Sequence, residues 1–370
     1  MKKTSFYLNV AASALFAVGM STGFQSCAVA DNSIGEEDNP EVIVDNGIKT
    51  TADFLAAVEK GGLVELAADA QIELTEPLYI NVATTIAAPV DNPATLILGE
   101  KASFIIQEGF SLLNIKVDAT ALTEPLIAMN ATPAEDHVKN QDVFEDAAVK
   151  DYFYLAEGIG IENSMIKNLK NSLVSINGAN WAVSSLTLNN NIIQLDNASN
   201  NFLAFDKGGN GWAKYVAITG NTIYNISETS NAYFVRCGNA SNASKIFGTN
   251  NGTATHEFVM SNNTIINTFG AKPFGNNTPN NKATSIIATN NVFVDVFRLN
   301  KFIQGNNTKV IENNFIAVEK TASVDGADGI AEIVESVGFK SPTQALDLTA
   351  ADGGLNLQST VSAGDGRWIK

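Results

Sequence analysis

Two strand-like segments end in a charged residue just ahead of a glycine turn. "NFLAFDKGGN" supplies Asp206 and Lys207, and "AYFVRCGN" supplies Arg236. An acid and a guanidinium at matching corners of neighbouring repeats would form a surface ion pair, or clamp the hydroxyls of a polar ligand. β-Elimination at a uronate would instead need a cation such as calcium to acidify the proton and a lysine or arginine as base, the place of Arg236 or Lys207. Glycoside hydrolysis demands more, two carboxylates flanking the scissile bond. The chain has no adjacent Asp-Asp pair, and residues 158–320 hold only Asp196, Asp206 and Asp295. Hydrolysis by that route is disfavoured.

Aromatic spacing gives a second thread. Tyr154, Trp181 and Trp212 each precede an asparagine (Asn163, Asn190 and Asn221) by nine residues, which would align them on three successive coils. Coils about 4.8 Å apart match the length of a sugar unit, and aromatic faces stack on sugar rings. The alignment is sensitive to register. In "LNNNII" the choice of Asn191 over Asn190 would turn Trp181 to the opposite face. His137 and His256 stand apart, so no histidine metal site or triad is expected. The acidic stretch 133–151 lacks EF-hand spacing, and Cys237 beside Arg236 has no base partner and reads as a packed residue. No catalytic residue, metal or cofactor is assigned; calcium enters only under the lyase reading.

These residues sit in a repeat. Asparagine pairs followed by β-formers recur at "TGNTIYNISE", "MSNNTIINTF", "TNNVFVDVFR" and "ENNFIAVEKT", and more faintly at "ENSMIKNLKN". Aligned on Asn163, Asn190, Asn221, Asn263, Asn291 and Asn314, the intervals are 27, 31, 42, 28 and 23 residues. Periods of this size indicate repeat architecture, with insertions on the longer coils. Each pair lies between two apolar runs, so it turns a corner. Asparagine tolerates the left-handed backbone there and can bond its counterpart on the next coil. Met165, Ile192, Ile223, Ile265, Phe293 and Ile316 are then expected to stack inward. The sequon Asn262-Asn263-Thr264 is scaffold on this reading, not a glycan acceptor.

Before the repeats, "TTADFLAAVEKGG" reads as one short helix capped by Thr50 or Thr51, with Phe54, Leu55 and Val58 on one face and Gly61-Gly62 as the stop. Short β-type runs follow. The fold expected is all-β, a right-handed parallel β-helix over residues 49–320 with an N-terminal capping helix. Residues 321–370 form an irregular C-terminal cap over the last coil's open edge, in which "GIAEIVESVG" reads as a short helix.

The first 26 residues, with Lys2 and Lys3 before a short apolar stretch and Gln25-Ser26 before Cys27, read as a lipoprotein signal. Cys27 would carry the lipid, and acidic residues 27–48 would be a flexible tether. Without Lys2 and Lys3, 21 basic residues face 39 acidic ones, a formal charge of −18. That envelope disfavours nucleic acid and anionic lipid and suits neutral glycans.

"TADFLAAVEKGGLVELAADAQIELTEPLYI", the "NNTI" corners and the ending "GDGRWIK" together resemble the pectate-lyase-like parallel β-helix surface lipoproteins of Bacteroidetes that accompany glycan-utilisation systems. The resemblance implies fold more than chemistry, since β-helices host lyases, hydrolases, binders and adhesins. The reading it favours is a non-catalytic protein, lipid-anchored at the outer membrane and exposed on the cell surface. It would bind a polysaccharide through Tyr154, Trp181, Trp212, Asp206, Lys207 and Arg236 and work beside outer-membrane glycan-uptake proteins. A lyase acting on a uronate polymer, and an adhesin using insertions 118–157 and 227–257, are the alternatives.

Overall fold

The structure is a computed structural model. It describes residues 47–134, 152–176, 178–205, 211–227, 232–236, 249–250, 253–254, 256–268, 275–276, 284–301, 308–319 and 326–369. The expected signal 1–26, the expected lipidation site Cys27 and the expected tether 27–48 lie outside these residues, apart from Gly47 and Ile48.

The chain winds as a right-handed parallel β-helix. Strands fall in turn into three sheets, each built of parallel pairs between successive coils. The first sheet runs from Gly62–Glu65 through Phe110–Leu113, Trp181–Asn189 and Trp212–Thr219 to Thr308–Glu312. The second runs from Gln71–Leu74 through Lys116–Asp118, Ile192–Leu195 and Thr222–Asn225 to Glu332–Ile333. The third is shorter, from Leu78–Ile80 to Gly275–Asn276. Along most of the described strands alternate residues point inward, and their apolar side chains stack coil on coil as the solenoid core.

Helix α1, Thr51–Lys60, closes the first coil. Thr50 caps it by accepting from the Asp53 N–H at 3.2 Å, and Gly61 ends it at φ 71°. Phe54 and Val58 are buried, whereas Leu55 is 43% exposed and lies off the packed face. Its position beside Phe54 rotates it about 100° around the helix, out of reach of the coil.

The asparagine pairs divide their labour. The first member takes the left-handed conformation: Asn163, Asn190, Asn262, Asn290 and Asn313 have φ of 49–58°, with Gly220 at 65° on the coil between. The second is buried and builds a ladder. The Asn221 Oδ1 accepts from both the Asn191 N–H and its Nδ2 at 2.9 Å. The same double bond recurs from Asn221 to Asn263, Asn263 to Asn291 and Asn291 to Asn314, at 2.8–3.1 Å. Each Nδ2 also reaches a strand carbonyl, that of Asn263 bonding the Ile218 oxygen at 2.7 Å.

This geometry corrects the alignment on two coils. The ladder members are Ser164 and Asn191, not Asn163 and Asn190, which occupy the strained corner. The inward column shifts with them to Ile166, Ile193, Ile223, Ile265, Phe293 and Ile316. Met165 and Ile192 point outward.

The C-terminal segment also departs from expectation. "GIAEIVESVG" forms a turn and the strand Glu332–Ile333, not a helix. The edge at Phe315–Ala317 offers it backbone partners, with Glu332 N–H to Asn314 O at 2.7 Å and Val334 N–H to Ile316 O at 2.9 Å. An isolated short helix has no comparable gain. Beyond this strand the chain does not stay at the open end. It turns back along the outer face of the second sheet as a strap, burying Val337, Phe339, Leu346, Leu355 and Trp368 on Ile192, Tyr224, Ile266, Val292 and Val294.

The ending "GDGRWIK" fastens this strap. The Asp365 carboxylate accepts from the Thr222 hydroxyl at 2.7 Å and from the Arg367 Nε at 2.9 Å. The Arg367 guanidinium reaches the backbone oxygens of Asn190, Asn191 and Gly220, and the Trp368 Nε1 donates to Thr222 Oγ1 at 2.6 Å.

Asn263→Ala would leave the buried Asn221 N–H unmatched and remove one of the three acceptors of its Nδ2, and is expected to cost roughly 1–3 kcal/mol in urea unfolding. Asn262→Gly, which reproduces Gly220 on the preceding coil, should change stability by less than about 0.5 kcal/mol. Similar losses at both positions would contradict the division of roles.

Candidate functional site

The register of the first sheet brings Tyr154 and Trp212 of the predicted aromatic column into line, but not on an exposed face: Ala182 between them is a buried core residue and Tyr154 packs against the core. Phe153–Leu155 and Trp212–Thr219 flank Trp181–Asn189, and the register aligns Tyr154, Ala182 and Trp212. Trp181 is one residue out of this column. It pairs with Phe153, is 0% exposed, packs on the Phe153 ring at 5.5 Å between centroids, and donates its Nε1–H to the Asn130 oxygen at 3.0 Å. Trp181 is therefore a core residue and cannot stack on a ligand. The ladder through Asn191 sets this register.

Tyr154 is half-buried, and burial, followed by the Glu157 charge, pushes its hydroxyl pKa upward. Two coils separate Tyr154 from Trp212, about 9.6 Å of backbone. Further along Trp212–Thr219, Tyr215 is 37% exposed and faces Glu257 on the next coil. Burial and that carboxylate raise the Tyr215 pKa, and burial lowers that of its half-buried neighbour Lys214. Sequence reasoning passed over Tyr215. Its signal was the outward alternation of "WAKYVAIT".

Along the same face runs a polar ridge in register: Glu162, Asn189, Thr219, Ser261 and Thr289. The Asn189 Nδ2 donates to Glu162 at 3.3 Å, the Thr219 hydroxyl donates to Asn189 Oδ1 at 3.1 Å, and the Ser261 and Thr289 hydroxyls lie 2.8 Å apart. Short hydroxyl and amide groups spaced one per coil can exchange hydrogen bonds with a ligand lying across the strands.

Arg236 stands on the third sheet, away from this ridge. Its register partner is Ala204, and its guanidinium carbon lies 5.5 Å from the Tyr233 ring centroid, a cation–π contact. Asp206 and Lys207, expected beside it, lie outside the described residues, as do Cys237 and His137. His256 opens the strand His256–Ser261. Among the described residues no three His, Cys, Asp or Glu side chains converge to hold a metal, and no helix is long and apolar enough to cross a membrane.

Residues 65–226 match the family described as Domain of unknown function (DUF4957). The match begins in the first strand of the first sheet and ends just beyond Thr222–Asn225. It takes in the Tyr154–Trp212 column and less than half of the chain. No curated protein and no solved structure matches the sequence.

A second concavity was not anticipated. Where the strap leaves the sheet, Leu346, Asp347, Leu348 and Thr349 stand across from Gln71, Thr95, Lys116 and Lys167, enclosing a groove of about 420 Å³. Nothing in the local sequence signals it, because its two walls lie nearly 180 residues or more apart.

Burial holds the Glu162 carboxyl above its ordinary value, partly opposed by the bond from Asn189. A carboxyl raised in the folded state adds stability that is present at low pH and lost as pH rises through its folded pKa. Glu162→Gln is therefore expected to raise the thermal midpoint near neutral pH and leave it unchanged below the ordinary carboxylate range. A midpoint unaltered at every pH would refute the assignment.

Proposed function

We propose that the protein is a lipid-anchored cell-surface protein that binds a glycan on the first-sheet flank of its β-helix without transforming it. The observation that carries this reading is exposed Tyr215 beside the hydroxyl-amide ridge from Glu162 to Thr289, set one group per coil on the first sheet. Parallel coils present these groups at about the repeat of a sugar chain. Rings and short polar groups are complementary to the two faces of such a chain. The sequence likeness to Bacteroidetes surface lipoproteins of glycan-utilisation systems supports the same reading, as do the signal ahead of Cys27 and the acidic composition. Outer-membrane glycan-uptake proteins are the partners this implies. Trp181 has no part in the site.

The test is affinity electrophoresis against a panel of neutral and uronate polysaccharides. Tyr215→Ala is expected to weaken retention about tenfold with an unchanged unfolding midpoint. Trp181→Ala should act on stability, costing about 3–5 kcal/mol as a truncated core aromatic. Absence of retention on every polysaccharide, or retention indifferent to Tyr215, would remove the proposal. Cys27→Ser should release the protein from the membrane fraction if Cys27 carries the anchor.

A further inference from the structure

The strap divides the outer face of the second sheet. From Ile192 onward the outward residues are largely apolar and covered, whereas the four earliest coils present polar side chains. Two columns line this open part: Gln71, Thr95 and Lys116, then Ile97, Asp118 and Lys167. The four coils span about 14 Å, three coil repeats. Asp347 to Thr349 of the strap form the opposite wall.

Most of the charge here is already spent within the protein. Lys167 lies 3.7 Å from Asp118, whose other oxygen accepts from the Thr120 N–H at 3.0 Å. Asp347 accepts from the Thr349 N–H and hydroxyl at 2.8 and 2.7 Å. These bonds fix the walls. They leave the Lys116 ammonium, which has no ion pair among the described residues, and the Gln71 and Thr95 side chains as groups able to meet a ligand. Ile97 and Leu348 add aliphatic surface.

We infer that this groove is a separate binding site for a short neutral oligosaccharide of two or three sugar units. Its size falls within the range of small-ligand sites, roughly 300–1,000 Å³. Two lysines against Asp69, Asp118 and Asp347 leave the lining with a net charge of −1, which disfavours a polyanion. Sugar hydroxyls each donate and accept, and so match a wall in which ammonium and amide donors alternate with carboxylate acceptors. The aliphatic patches suit the C–H faces of the rings. The ligand class rests on the glycan reading above; the location does not, since the groove lies on another sheet.

The experiment is calorimetry of the full mature chain with neutral β-linked gluco-, manno- and xylotriose and with trigalacturonate as the charged comparison, beside polysaccharide retention on the same samples. A neutral trisaccharide is expected to bind. Thr95→Trp, which fills the groove, and Lys116→Ala, which removes its uncommitted cation, should each weaken it at least tenfold, while Tyr215→Ala leaves it unchanged. Polysaccharide retention should respond in the opposite way. If Thr95→Trp alters the unfolding midpoint, Lys116→Ala carries the test. No trisaccharide binding, or binding indifferent to Lys116, overturns the site. Tighter binding of trigalacturonate overturns the ligand class. Absence of retention by the unsubstituted protein with groove binding intact would strike the first-sheet flank alone.

Discussion

A coil that turns a corner inside a solenoid buries peptide groups that its own strands cannot pair, and the buried asparagines exist to meet that demand. At Asn221, Asn263 and Asn291 the side-chain oxygen takes two donors from one adjacent coil, while the amide nitrogen donates to the next ladder oxygen and to a strand carbonyl. An unmatched group there costs about as much as several good contacts gain. The ladder consequently locks the register of every coil from Ser164 to Asn314. The inward and outward faces of the flanks follow from this, including the burial of Trp181 and the outward placing of Tyr215.

The strap answers a second problem. A parallel sheet with apolar residues on both faces needs cover on both. Over the later coils the inner face has the solenoid core and the outer face has the strap. The threonines at Thr222 and Thr264 interrupt this apolar face, and each is met by the clasp: Thr222 by Asp365 and Trp368, Thr264 by the Asp365 N–H. Polar satisfaction and apolar cover are thus supplied by the same few residues.

The three-sheet architecture and the asparagine corners were legible because both are periodic and local. The error of one residue at Asn163 and Asn190 arose where runs of polar residues gave two equivalent choices: "NNN" at 189–191 and "NS" at 163–164. Only burial distinguishes them, and burial is a tertiary fact. That single step moved Trp181 from the surface to the core. Leu55 was misplaced for a similar reason, since two adjacent apolar residues cannot both face one coil. The route of the strap was hidden, although its footprint was not: "IIQL", "TII" and "VFV" lose the alternation that "QIEL" and "TLIL" keep in burial. The groove, made by residues from opposite ends of the chain, left no local trace.

A solenoid whose coils touch only their neighbours can form progressively from one end and be stable in part. The clasp changes that. Arg367 and Trp368 lie within the last four residues, yet they hold Asn190, Asn191, Gly220 and Thr222 near the middle of the winding. A chain lacking Asp365, Arg367 and Trp368 therefore carries an unfastened apolar face however well its coils have formed.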